Sequence, residues 1–283
     1  MAVPIVKSGA TIMEMEDGPR IITRKGALPG KRLAVFAGIH GNEQVGVDAI
    51  NDVLEDVQVL RGEVVFVFAN TRALEQGVRY TERNLNRCFT RESIGATYED
   101  EVARELMDLL DNVDALLDVH ASNTPGATPF VIYEEPAEDF VRHLEFDIVS
   151  TGWVDVEPGA TDEYMYRQGK PGICIECGYI KAGDEHRLLA SKSIRTFLSY
   201  YGAIDEPLPA PRTQRHLQVH TALIKEHESF EYYRQYSDFE SIPSGTSFAK
   251  DHSQEYRVEE ETVIIFATQK AVGDEVGILG KWV

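Results

Sequence analysis

Four short apolar runs, each closed by polar or turn residues and separated by stretches of helical period, constrain this chain more than anything else in it. They cover residues 33–39, 64–69, 115–119 and 173–177. Runs of this length read as strands buried on both faces, the condition of a parallel sheet covered by helices. Between them, residues 43–57 and 98–110 repeat apolar positions at helical steps, as in Val102, Leu106, Leu109 and Leu110. A further helix is predicted over residues 184–201. The alternation predicts an α/β fold: a mixed, largely parallel sheet with helices on both faces.

The composition changes at residues 205–212, where Pro207, Pro209 and Pro211 stop both helix and central strand. We place a boundary there, with a large domain over residues 1–205 and a small β-rich domain over 213–283. The small part carries apolar or alternating stretches at 217–224, 256–258, 262–267 and 276–279.

In an open α/β sheet, ligands collect beyond the carboxyl ends of the strands. The residues found there are His40, Asn70, His120 and, within the last strand, Glu176. His40 and Glu43 are separated by two residues in Gly-Ile-His-Gly-Asn-Glu, where a strand gives way to a helix, so one turn can aim both at one point. Imidazole and carboxylate suit Zn²⁺, and a catalytic zinc site takes three protein ligands, leaving one position for water. His120 is the best placed third ligand. Taken singly, a His-x-x-Glu pair or a histidine after a strand reads as a hydrogen-bonded structural feature; the metal reading rests on their combination. Asp118, on the same strand face as His120, either orients that ligand or caps a loop.

Glu176 sits in the apolar run Gly-Ile-Cys-Ile-Glu-Cys-Gly, where an unpaired carboxylate is expensive to bury. It is either matched to a cation or faces a cleft, where it can move protons beside a metal. Cys174 and Cys177 form C-x-x-C by spacing, yet residues three apart on a strand point to opposite faces, so they read as packing residues. The segment 79–89 is polar but ends on Leu85, Cys88 and Phe89, apolar anchors that can fix Arg79 and Arg87 against the core for binding anions. The alternative is a solvated loop whose arginines answer an acidic surface.

That surface is strongly acidic: 28 Lys+Arg stand against 47 Asp+Glu, a formal charge of -19. Nucleic acid is therefore excluded as a partner. A halophilic source is one expectation, because salt screens such a field. Three cysteines make no disulfide framework, and the chain shows neither a leader-like N-terminus nor a membrane span, so a cytoplasmic protein is expected. Self-association into a homo-oligomer is compatible with the sequence and not specified by it.

Four motifs in order, Gly-Ile-His-Gly-Asn-Glu43, Asn-Leu-Asn-Arg87, Asp-Val-His120 and Ile-Glu-Cys-Gly178, resemble the succinylglutamate desuccinylase and aspartoacylase family, of zinc carboxypeptidase-like fold. The likeness spans about residues 32–180. It implies one zinc held by His40, Glu43 and His120, with Glu176 as general base and Arg79 supporting the carbonyl. It further implies Asn86 and Arg87 on a substrate carboxylate, with Arg167 an approximate match to another substrate-binding arginine. The implied reaction is hydrolysis of an N-acyl amino acid, a small-molecule substrate. Asn84 departs from the acidic residue usual in the family before Leu-Asn-Arg. Two other readings stand beside the deacylase: a metallocarboxypeptidase acting on peptides, and a non-catalytic zinc or ligand-binding protein of the same fold.

Overall fold

The computed structural model describes residues 10–14, 18–91, 95–181, 183–252 and 254–283. The chain begins with strands β1 (Ala10–Glu14), β2 (Arg20–Lys25) and β3 (Leu28–Ala37), followed by helix α1 (Gln44–Asp56), β4 (Arg61–Phe68) and α2 (Thr71–Gln76). A 3-10 turn (Leu85–Arg87) precedes α3 (Tyr98–Leu110), β5 (Ala115–Ser122), β6 (Phe130–Tyr133), α4 (Glu138–Val141) and β7 (Ile148–Thr151). A second 3-10 turn (Trp153–Asp155) leads to α5 (Thr161–Arg167), β8 (Gly172–Tyr179) and α6 (Asp184–Tyr200). From there the described structure is all β: β9 (Arg215–Ile224), β10 (Glu231–Tyr232), β11 (Glu240–Ile242), β12 (Ser247–Asp251), β13 (Gln254–Arg257), β14 (Thr262–Ile265) and β15 (Glu275–Trp282).

The predicted α/β fold is present. β4, β3, β5 and β8 lie side by side and parallel, and they are the four apolar runs. Their residues are apolar on both faces because both faces are covered. Val35, Leu117, Val119 and Ile175 pack on one side with Ala49 and Val53 of α1 and Ile194 and Phe197 of α6. On the other, Ala34, Phe36 and Leu116 pack with Val102, Leu106 and Leu110 of α3 and Met165 of α5. The first turn of α3 is secured by a capping box between Thr97 and Asp100.

At the proline segment the helices stop but the sheet does not. β7 pairs with β9 in parallel, and β15, β14 and β11 follow, so one sheet runs through twelve strands from β1 to β11. Among the described residues, β10, β12 and β13 form a separate small sheet. The β-rich C-terminal part is thus built onto the edge of the larger sheet. Sequence pattern does not reveal that junction, because β6 and β7 are four residues each, too short for a periodic signal.

Candidate active site

The site forms where β3, β5 and β8 end. After Ala37 the chain turns at Gly38, whose φ of +69° a side chain would strain. Gly41 then passes so close to α2 that an added Cβ would lie 2.1 Å from the carbonyl carbon of Ala73. The N–H of Glu43 donates to the carbonyl of His40 at 3.1 Å, closing a tight turn at the start of α1. That turn aims His40 and Glu43 at one point, and His120 reaches it from β5. The ligand-capable atoms of the three residues lie within 4.8 Å of one another, and all three side chains are buried.

The carboxylate of Glu43 sits between the imidazoles. His40 Nδ1 lies 2.7 Å from Glu43 Oε1 and His120 Nδ1 lies 3.1 Å from Oε2. The N–H of Ala121 also donates to Oε2 at 3.1 Å, and Arg79 Nη1 donates to Oε1 at 3.0 Å. Burial alone would raise the Glu43 pKa, but the two imidazoles hold it well below the usual carboxylate range. Burial lowers the pKa of His40. It presses on His120 too, but there Asp118 and Glu43 outweigh it and hold the ring well above its ordinary value.

These residues fit a metal ion on grounds of hydrogen-bond accounting. Asn84 Oδ1 accepts from the backbone N–H of Asn86 at 3.0 Å, which identifies that atom as the oxygen. His40 Nε2, 2.9 Å from the same oxygen, must therefore carry the hydrogen, leaving Nδ1 as a lone pair. Nδ1 is buried, makes no hydrogen bond among the described residues, and faces a carboxylate oxygen. Two acceptors so placed need a cation between them, and burial disfavours a second proton on the ring. A divalent ion taking two imidazoles and a carboxylate, the donor set of catalytic zinc, answers both demands.

Glu176 stands directly across from His120 in the β5–β8 register. Both alternate with Val119 and Ile175, which pack under α1 and α6, so both face the other way, toward the cleft. Burial is the main reason the Glu176 carboxyl is pushed up to about 8; Glu43 adds to it, while His120 and Arg79 oppose. Asp118 is fully buried, accepts from Thr161 Oγ1 at 2.5 Å, and places Oδ2 3.1 Å from His120 Nε2. Of its two readings from sequence, the structure gives it the place behind His120. Cys174 and Cys177 are buried free thiols on opposite faces of β8. Asn70, at the end of β4, caps α2 through Oδ1 and donates to Glu99.

The arginine loop is anchored as its apolar residues predict, with Leu85, Cys88 and Phe89 buried. Two carboxylates of α3 do the rest. Buried Glu99 accepts from the N–H groups of Thr81, Glu82 and Arg83 and from Thr81 Oγ1, while Asp100 pairs with Arg83 Nη1 at 2.8 Å. Burial would raise the Glu99 pKa, but those donors lower it. Neither role is legible in sequence, where both acids look like ordinary first-turn residues of a helix.

Asn86 Oδ1 accepts from Thr161 N at 3.3 Å. Arg87 gives Nη1 to the carbonyl of Asn86 at 2.7 Å and Nη2 to Glu157. Glu275, from β15, lies beside Glu157, and burial with that neighbour pushes Glu275 up to about 9. Despite its own burial, Glu157 is lowered by Glu275 and Arg87. Glu157 thereby stands between the C-terminal part and Arg87. Arg167 is not brought to this group: its side chain is 61% exposed and pairs with Glu163 one turn back on α5.

Residues 29–201 match the family described as the succinylglutamate desuccinylase/aspartoacylase catalytic domain. A probable aspartoacylase of Nostoc sp. is 34% identical over 190 residues, which is 60% of this chain and 63% of that protein, so the chain spans less than two thirds of that relative. A succinylglutamate desuccinylase of Pseudomonas syringae pv. tomato is 24% identical over 269 residues, covering 85% of this chain and 80% of the other. The X-ray structure of a succinylglutamate desuccinylase from Vibrio parahaemolyticus shares the fold with a TM-score of 0.76, over 97% of this chain and 91% of that one, at 18% identity. With the parallel strands of the sheet, the cleft and all four motifs inside the matched span, this chain belongs to the succinylglutamate desuccinylase/aspartoacylase family.

Proposed function

We propose that this protein is a zinc-dependent hydrolase that cleaves the amide bond of N-acylated amino acids, releasing a carboxylate and a free amino acid. The observation that carries the reading is the convergence of His40, Glu43 and His120 beside Glu176 at the ends of three parallel strands. The names of the relatives, an aspartoacylase and a succinylglutamate desuccinylase, support the same class of substrate.

Zinc in this site supplies the positive charge that acidifies water and polarises a carbonyl oxygen. The remaining work falls to the chain. Glu176 takes a proton from the attacking water and delivers it to the leaving nitrogen; burial favours the protonated form that the second half of the transfer needs, and the positive charge of a bound ion would favour the ionised form that the first half needs. Arg79, 43% exposed beside Glu43, directs a guanidinium toward charge growing on the carbonyl oxygen. Arg87 and Asn86 bind the substrate carboxylate, with Glu157 and the Asn86 carbonyl fixing the guanidinium plane from behind. Glu275 of the C-terminal part beside Glu157, the partner of Arg87, favours a closed site for small acyl amino acids over the open cleft that a carboxypeptidase needs. Arg167, turned to solvent in this structure, is left out of the proposed site.

A small-molecule substrate also suits a surface of charge -19, which repels nucleic acid. Among the described residues no helix is long and apolar enough to cross a membrane. Three free, buried cysteines fit a reducing cytoplasm.

The test pairs elemental analysis of the purified protein with an amine-release assay on succinyl, acetyl, aspartyl and glutamyl derivatives of amino acids, with and without chelator. One zinc per chain with chelator-sensitive release is the expected result. Absence of zinc after reconstitution would remove the ligand assignment, and zinc without release from any derivative would leave a peptide substrate or a binding role.

A further inference from the structure

The two imidazoles that face Glu43 are held from behind by different chemistry. His120 has a carboxylate at its back: Asp118 Oδ2 lies 3.1 Å from Nε2, a charge contact short of hydrogen-bond geometry, and is itself held by Thr161 Oγ1. His40 has an amide: Asn84 Oδ1 lies 2.9 Å from Nε2 and also accepts from the N–H of Asn86. A carboxylate behind an imidazole orients the ring and draws on its proton, strengthening the far nitrogen as a ligand; a neutral amide oxygen orients it and adds little charge.

We propose that Asn84 is a positioning residue that fixes His40 with Nδ1 toward the ion, and that its neutral amide makes His40 the weaker of the two imidazole arms. This rests on the metal-centre reading above. Three features of the geometry carry it. The backbone donor at Asn86 leaves no freedom to exchange the oxygen and nitrogen of the Asn84 amide, so the His40 tautomer follows from the fold. The oxygen that meets His40 also caps the 3-10 turn bearing Asn86 and Arg87, so one atom sets both a metal ligand and the start of the substrate-binding turn. The turn itself is pinned by buried Leu85 and by Cys88 Sγ on the Asn84 carbonyl at 3.3 Å, so Asn84 cannot drift from His40 without moving the core.

The centre is therefore asymmetric by construction, and its affinity is limited on the His40 side. Replacing the amide by a carboxylate keeps the acceptor in place and adds the missing charge. Removing the side chain loses both orientation and acceptor.

The experiment measures the zinc dissociation constant of the full chain by competition with a chromophoric chelator, for wild type, Asn84→Asp, Asn84→Ala and Asp118→Asn. Thermal unfolding of each metal-free form is recorded alongside. Tightening by about tenfold is expected for Asn84→Asp, weakening by about tenfold for Asn84→Ala, and weakening by about 10- to 100-fold for Asp118→Asn. A gain of affinity is a result that a merely structural role for Asn84 does not produce. Equal or weaker binding by Asn84→Asp with unchanged metal-free unfolding overturns the proposal, as does unchanged binding by Asn84→Ala; either variant alone decides. If wild type binds no zinc, the metal centre itself is refuted and this inference with it; if wild type binds and the Asn84 variants do not differ from it, only the inference falls.

Discussion

On the floor of the cleft, His40, Glu43, His120 and Glu176 stand on or within a few residues of strand ends whose neighbours are apolar and fully buried. On the rim, Arg79, Asn86 and Arg87 ride a segment with only a 3-10 turn for regular structure, held by buried Glu99 and Asp100 from the first turn of α3. The floor inherits its geometry from backbone pairing in the sheet. The rim inherits its geometry from carboxylates that satisfy loop N–H groups, which would otherwise be buried without partners. A disturbance on the floor should therefore change chemistry with the fold intact, whereas one beneath the rim should change fold and substrate binding together.

The sharpest separation comes from Glu176→Gln. Loss of proton transfer lowers kcat by about 10²- to 10⁴-fold. Zinc content and thermal stability should stay at wild-type levels, since glutamine fills the same space. Full activity in this variant would take Glu176 out of the mechanism and break the contrast at its strongest point.

Arg79 bridges the two regions, being a loop residue that donates to Glu43. Arg79→Met is expected to lower kcat by about 10²- to 10³-fold through loss of the donor for the developing oxyanion. An effect confined to KM would place Arg79 on the rim alone.

Beneath the rim, Glu99→Gln keeps one acceptor oxygen and turns an NH2 group either on the Thr81 donors or on the N–H groups of Glu82 and Arg83. The expected cost is about 2–3 kcal/mol of stability, read by denaturant unfolding, with a raised KM and unaltered zinc affinity. Unchanged stability would show that the apolar anchors Leu85, Cys88 and Phe89 hold the loop without help.

The smallest effect is a pH dependence. In the folded chain burial and the neighbouring Glu157 push Glu275 up to about 9, against 4.5 as its ordinary value. Between those limits the folded state binds a proton that the unfolded state lacks, so stability from this group falls as pH rises through the window. Glu275→Gln mimics the protonated form and should flatten the decline of the melting temperature between pH 5 and 9 relative to wild type. Parallel curves for the two proteins would mean that burial beside Glu157 does not raise Glu275, and that the C-terminal part is not tied to Arg87 through Glu157 in this way.

The floor was the legible half of the site. Strand ends announce themselves through apolar runs, and a residue such as His40 or His120 is placed by its distance from the end of its own strand. The partners behind those residues were not legible, because they come from remote segments: Asn84 behind His40, Thr161 behind Asp118, Glu99 under Thr81, and Glu275 beside Glu157. Asp118 was visible as a residue on the face of His120 but not as its neighbour, since strand alternation assigns a face and leaves the rotamer open. Arg167 shows the limit of position along the chain. Its nearest acceptor, Glu163 one helical turn away, takes it toward solvent.

By itself the sequence determined the layered α/β architecture, the helices expected over residues 43–57, 98–110 and 184–201 and found within a residue of those bounds, and the set of metal-capable residues, because periodicity and strand-end position are local properties of the backbone. Tertiary structure alone decided that the sheet continues through β7 into β9, that His40 presents Nδ1 because Asn84 holds Nε2, and that a carboxylate from the last strand lies beside Glu157, the partner of Arg87. Each of these depends on groups distant in sequence meeting in a buried place, where a hydrogen bond or charge must be matched by whatever the fold brings next to it.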